Sequence, residues 1–480
     1  MHPWTYPIVG FLLFLTCLGV WHSRKIKTGE DFALAGRKLG FGVLVGTLVA
    51  TWIGTGSLFG NAEFTYGHGL SALFLPLAGG IGILLLSFLA PRARSLPAGS
   101  VPQILGLRFG RAAQLIGAVA LIGAYLIIVS YQYRAGTTVT LKLFPGLAEA
   151  LENSEPGSAE HTAAFTKVLF VRGGFAAFII LYTVLAGMVS VAWTDLINGI
   201  LMTVGLISAL IWVMFHWDPA TQPITDDMRQ LGGGETPIAW VGFLLPAFLL
   251  VLGDANLHQR FMSAGSPRTA RLSAIGMFFG VVVLEFVVIG LALFGKLMLT
   301  EEPANHGHVI VELAFTSLPW WIGLMIMGSA TAVIITTADS YLLGAATSVA
   351  VDLHSGLTSP WKQRVIVLGI GLLALAISFL SNKYFNVALY AYTLYGATLT
   401  PAVVCALLLP RTPRAAVVGG MASGLGVALL WKIGATFEWL PAAFDEIDAV
   451  LPALFANVLV LITVALFLGP GDPHEVKPTA

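Results

Sequence analysis

Two adjacent hydroxyls stand inside a strongly apolar stretch of the chain. In AVIITTADSYLLGAATS, Thr336 and Thr337 fall near the centre of a run long enough to cross a bilayer. Hydroxyl and carbonyl oxygens are hard ligands, suited to an alkali cation. A membrane threonine can also bond back to the carbonyl one turn earlier, so the pair by itself leaves both readings open. Ionisable groups in other apolar runs are functional candidates, because charge inside a bilayer is costly to keep. Glu63 and Arg134 fall in the outer halves of their runs, where they could pair or where Glu63 could reach outer water. Glu285 lies near the middle of its run, Asp339 slightly inside the middle of its own, and Asp195 and Asp254 near inner ends. A bare carboxylate at the depth of Glu285 is too costly, so it must be paired, hydrated or protonated. His306 and His308 sit in a loop, where lone histidines are usually solvated rather than metal ligands.

The elements that would position these groups are themselves interrupted. GTLVATWIGTGSLFGNAEF carries Gly46, Gly54, Gly56 and Gly60, and FLLPAFLLVLGDAN carries Pro246 and Gly253. Each glycine costs a helix interior about 1 kcal/mol relative to alanine. The two stretches open two five-helix runs, 40–215 and 236–409. Five is odd, so the second run enters the membrane from the opposite side. Interrupted helices at equivalent places in oppositely oriented halves are the pattern of an inverted-repeat secondary transporter, whose unwound backbone offers carbonyls to a cation at the midplane. The plainer alternative is close helix packing, as Gly42/Gly46, Gly276/Gly280 and Gly420/Gly424 suggest. GTGSLFG is no nucleotide loop, because no strand precedes it and it lies inside a span.

Composition agrees with a membrane location. Of 480 residues, 57% are hydrophobic and 10% charged, against roughly 25% charged in soluble domains. Mean hydropathy is +0.85. A water-soluble enzyme, a disulfide scaffold, a coiled coil and a disordered chain are thereby excluded, leaving an all-α membrane protein. Net charge is 0, so no basic field draws nucleic acid, and Cys17 and Cys405 form no disulfide framework. Thirteen apolar runs are long enough to span: 5–22, 40–66, 69–91, 112–143, 165–187, 190–215, 236–255, 270–299, 320–351, 362–381, 385–409, 413–434 and 449–469. The first has no basic residue ahead of it and no cleavage motif after it, so it reads as a retained helix rather than a signal peptide. With the N-terminus outside, 17 basic residues fall inside, among them Arg24, Lys25, Lys27, Arg260 and Lys477, against six outside, including Lys383. The positive-inside rule thus predicts N-terminus out and C-terminus in. Four segments result: 1–39, an extra helix and loop; the halves 40–215 and 236–409; and 410–480, two further helices and a short tail.

Four motifs in order make the chain resemble the sodium:solute symporter family, which includes sodium/glucose, sodium/proline and choline transporters. EDFALAGRKLG precedes the first interrupted helix; LYTVLAGMVSVAWTDLINGILM is similar to the family's YT…TD signature; HQRFMSA resembles its QR-x-x-SA segment; and ITTADSYLLGAATSVAVDL resembles its ST-x-DS segment. The resemblance covers nearly the whole chain. It implies a LeuT-type 5+5 inverted repeat and sodium-driven uptake of a small organic solute by alternating access, in a multi-pass protein of the plasma or bacterial inner membrane. No organic cofactor is implied; sodium is the coupling ion, and the assembly is expected to be a monomer or weak homodimer.

The resemblance also assigns residues. The family's main sodium site falls on the carbonyls of Ala50, Ile53 and Val333 and the hydroxyls of Thr336 and Thr337, with i, i+3 spacing that brings ligands to one helix face. Asp195 matches the aspartate associated with sodium release to the cytosol, so a hydrated cytosolic pathway is expected there. Leu250 stands where sugar carriers have a gating tyrosine, which speaks against a sugar. ATWIGTGSLFGNAEFTY is similar to the choline-transporter run, which sets Trp52 on a wall of the solute pocket beside Gly54. The other cage positions of that transporter hold Asp254 and Gly79, so choline-like cations, amino acids, carboxylates and other solutes stay open. No Ser/His dyad, paired-aspartate motif or His-rich helix supports an intramembrane enzyme. A solute-sensing module working with a separate signalling protein is the alternative to transport.

Overall fold

The computed structural model describes residues 2–23, 28–152, 158–185, 188–230, 232–353, 359–380, 384–437, 439–441, 444 and 447–471. Arg24, Lys25, Lys27, Lys383 and Lys477, used in the charge argument, lie outside the described residues. The membrane helices are α1 (Thr5–Ser23), α2 (Phe41–Trp52), α3 (Asn61–His68), α4 (Leu75–Arg94), α5 (Arg111–Leu143), α6 (Ala159–Leu185), α7 (Met188–His216), α8 (Pro237–Gly253), α9 (Ala255–Met262), α10 (Pro267–Met298), α11 (Trp320–Ser348), α12 (Pro360–Ile377), α13 (Tyr384–Leu408), α14 (Arg414–Thr436) and α15 (Val450–Leu468). Among the described residues, eleven helical segments are long and apolar enough to cross a membrane, and α1 and α2 add two shorter apolar helices. Each of the thirteen apolar runs overlaps one or more of these helices.

Starts are written in the sequence. Thr236 and Ser266 cap α8 and α10 by accepting the N–H of Ala239 and Thr269, and a proline follows each cap. A side-chain acceptor there satisfies a donor the helix cannot, and proline at the first position loses no bond. The interruptions are narrower than the glycine and proline content suggests. α2 ends at Trp52, and a π-helical turn over Gly56–Gly60 leads into α3. Gly46 stays helical, and its bare face admits Leu196: an added Cβ would lie 2.4 Å from Leu196 Cδ1. Val45 and Val49 sit against Gly276 and Gly280 in the same way, so the packing reading holds for these positions. Pro246 was expected to help break its span, yet α8 runs through it to Gly253. The chain turns at Asp254 instead (φ −57°, ψ 115°), whose carboxylate caps α9 by accepting Asn256 N–H.

α11 is the hub, buried at every residue from Ile326 to Ser348, whereas α15 at the rim buries only Val450, Ala453 and Asn457. It packs on α5, α7 and α2, while α10 packs on α4 and α2, and α8 on α13. The stretch before α2 meets the stretch after α9 in a two-bond bridge. Leu39 N–H donates to Ser263 O at 3.0 Å, and Gly265 N–H donates to Leu39 O at 2.9 Å.

Candidate functional site

At the end of α2 the hydrogen-bond ladder lapses. Ile53 N–H still reaches Val49 O at 2.9 Å, but Gly54 N–H turns back to Trp52 O at 2.8 Å rather than to Ala50 O. The regular pattern resumes only where Leu58 N–H meets Gly54 O. Ala50 and Ile53 are buried at this lapse. Thr337 of α11 faces it: a Cβ on Gly54 would fall 2.9 Å from Thr337 Oγ1. That hydroxyl is buried and, among the described residues, has no hydrogen-bond partner. Buried hydroxyls are nearly always bonded; this one stands unpartnered beside the lapse, as those of Ser273, Thr347 and Thr398 do elsewhere among the described residues. Thr336, by contrast, bonds back to Val333 O at 3.2 Å, the self-satisfied arrangement. Four predicted positions, Ala50, Ile53, Thr336 and Thr337, are thus buried in the region of one lapse, with Val333 a turn away.

A cavity lies on the other side of the break. Trp52, Gly56, Ser57, Asn61, Gly79, Phe243, Leu250, Glu285, Tyr341 and Tyr392 line it with several aliphatic neighbours. Trp52 and Leu250 stand on its wall. Gly54 is turned toward Thr337 instead. Gly79 makes room for the indole, since a Cβ there would come within 3.2 Å of Trp52 Cζ2. Glu285 accepts from Ser57 Oγ at 2.6 Å and Asn61 Nδ2 at 2.5 Å. Asp254 accepts from the Tyr125 hydroxyl at 2.5 Å and is 3.5 Å from that of Tyr341. Tyr395 brackets the same break, accepting Ala255 N–H and donating to Gly253 O, each at 2.7 Å.

Asp195 does not line that cavity. It is fully buried, accepting from Thr47 Oγ1 at 2.5 Å and paired with Arg260 at 3.0 Å. Arg260 also donates to Thr47 Oγ1, Ser340 Oγ and the side chain of Asn256. Arg260, counted among the inside charges, is not a solvated charge: it is wholly buried in α9, where four polar residues hold it. The signal was available, because a carboxylate at Asp195 inside an apolar run needs a cation, and Arg260 ends an interrupted one. Tyr392, Asn61 and Ser57 were missed for a different reason. Their roles arise from contacts between helices distant in sequence.

The loop histidines are partly exposed, and each has a neighbour. His306 meets Glu302 at 2.7 Å and stacks on Tyr66. His308 packs edge-on against Phe59. Burial, with help from the charges of Lys142 and Arg134, lowers the His308 pKa to about 4.

This arrangement, two interrupted helices packed about a buried hub helix, is a fold of the LeuT type. The chain belongs to the sodium:solute symporter family, whose family model matches residues 32–424. It is similar to a sodium/proline symporter of Haemophilus influenzae, 25% identical over 96% of this chain and 93% of that one. It is also similar to a high-affinity choline transporter of Caenorhabditis elegans, 24% identical over 91% of this chain and 79% of that one. The fold matches that of a Na+-coupled sialic acid symporter solved in a substrate-bound outward-open state, with TM-score 0.75, 16% identity and 97% of each chain covered. The protein is a multi-pass symporter of the plasma or bacterial inner membrane that couples sodium to a small solute by alternating access.

Proposed function

We propose that sodium is held by the carbonyls of Ala50, Ile53 and Val333 and the hydroxyls of Thr336 and Thr337, and that the solute occupies the cavity walled by Trp52 and Leu250. The unpartnered, buried Thr337 hydroxyl facing the lapse in α2 carries this reading. Sodium bound there joins α2 to α11, so its binding favours the conformation in which the solute cavity is built. Thr336 exchanges its back-bond to Val333 for the ion. Both oxygens then share the same cation. Asp195 serves the ion's exit: separating it from Arg260 opens a polar route below the site, and the halves 40–215 and 236–409 move about that route. The transporter works as a monomer or weak homodimer with lipid around α15 and the other exposed helices.

The test is sodium dependence. Replacing Thr336 and Thr337 together with alanine removes two of five oxygen ligands. Sodium-stimulated solute uptake in proteoliposomes, and the sodium-induced rise in melting temperature, should both weaken at least tenfold in apparent affinity. Unchanged sodium affinity in the double variant would remove the assignment.

A further inference from the structure

We propose that the solute carries a cationic nitrogen and that Glu285 is its counter-ion. This rests on the reading of the central cavity as the solute site. Glu285 is 4% exposed and lies on the cavity wall. Its partners are Ser57 and Asn61, with Trp52 also in reach, and no basic side chain among the described residues is within ion-pair distance. The contrast with Asp195 is instructive. That carboxylate, equally buried, has been given Arg260. Hydrogen bonds from neutral donors offset only part of the cost of burying a charge; a cation supplies the rest, and attraction across a low-dielectric gap is strong. The missing positive charge is therefore one that arrives with the cargo.

The remaining walls point the same way. Trp52, Phe243, Tyr341 and Tyr392 line the cavity beside Glu285, and aromatic faces attract ammonium groups through their quadrupole. Asp254, bonded to the Tyr341 hydroxyl, adds a second carboxylate just behind the wall. An anion lacking a cationic group would meet the Glu285 carboxylate on a wall that holds no basic side chain. A sugar would need many polar contacts, yet Ser57 and Asn61 are already turned to Glu285, and Leu250, Val281 and Ala247 are apolar. A compact ammonium with an apolar surround fits both features.

Melting temperature of the purified protein in sodium would be titrated with choline, ethanolamine and proline. Each is set beside its isostere lacking the cationic nitrogen: 3,3-dimethylbutan-1-ol, propan-1-ol and cyclopentanecarboxylate. At least one cationic member should stabilise the protein, and its isostere should fail to do so at tenfold higher concentration. Glu285→Gln should weaken that binding at least tenfold, while Glu285→Asp keeps the preference for the charged member. The sodium-induced shift should persist in both variants, which also reports that they fold. The proposal is overturned if no cationic member binds, if isosteres bind equally, or if Glu285→Gln binds as the parent does. It is overturned too if Glu285→Gln abolishes the sodium response, since the carboxylate would then hold an ion. Cation binding that survives both Trp52→Ala and Glu285→Gln would instead refute the cavity as the solute site. Loss of sodium binding through Thr336 and Thr337 is scored separately.

Discussion

Arg260 and Asp195 form a buried pair whose members answer differently to removal. Asp195→Asn leaves Arg260 with Thr47, Ser340 and Asn256 as partners. Arg260→Leu leaves Asp195 and the neighbouring Asp339 buried without their cation. Breaking a buried pair costs about 3–5 kcal/mol when the orphaned charge stays buried. Arg260→Leu should therefore lower the melting temperature more than Asp195→Asn, and Asp195→Asn should slow turnover more than it weakens solute binding from outside. Equal melting temperatures for the two variants would contradict the first half, and lost solute binding with normal ion release the second. His308 gives a pH signature. Its folded-state pKa of about 4 lies below the usual 6.5. The unfolded chain therefore takes up the proton first, and stability falls as pH drops from about 6.5 to about 4, by at most about 3 kcal/mol. Thermal unfolding at pH 7.5 and 4.5 should show a smaller acid loss in His308→Gln than in the parent; equal losses would refute it. The sodium reading rests on the order of the motifs, because a threonine pair alone does not single out a site: Thr137 and Thr138 form another in the run 112–143. Glu285 was visible as costly, but its neighbours Ser57 and Asn61 sit more than 200 positions away, and no local pattern predicts such a contact.

At the level of the helix, two glycines in one apolar run do different work. Gly46 accommodates Leu196, and Gly54 accommodates Thr337. Adding a methyl at either overfills a packed interior, with a cost of about 1–3 kcal/mol. Gly46→Ala should lower the melting temperature yet leave the sodium affinity of the folded protein unchanged. Gly54→Ala should also weaken sodium stimulation, because the new methyl pushes on Thr337 Oγ1. Identical sodium affinities in the two variants would separate Gly54 from the ion. The interruptions themselves were legible as glycine and proline clusters, but their positions were not. Pro246 was read as a breaker, although a helix inside a bundle tolerates proline when neighbours and local adjustment satisfy the freed carbonyl. The turn came at Gly253–Asp254, where an aspartate can cap the helix that follows. Capping chemistry was the better guide than helix propensity.

Across the whole chain, the basic residues predict orientation. Removing Arg260 from the count leaves 16 inside against six outside, so the bias survives its burial. With Cys17 replaced by serine, a cysteine at Thr221 should react with an impermeant reagent from outside, and one at Ser359 only after the membrane is opened. The reverse pattern would invert the topology. The thirteen apolar runs were legible because bilayer thickness fixes a length and hydropathy fixes a composition. Which helices gather at the centre was not, since α11 and α15 are both apolar enough to span and differ in what surrounds them.

The short bridge between Leu39 and the Ser263–Gly265 stretch fastens the approach to one interrupted helix to the exit of the other. Yoked at that end, α2 and α9 cannot tilt independently without giving up both bonds. A carrier whose ion-binding segment could move alone would let ions slip through uncompanied and squander the gradient. With the two segments tied, a tilt of one should carry the other with it, so the two breaks are expected to move as one stroke.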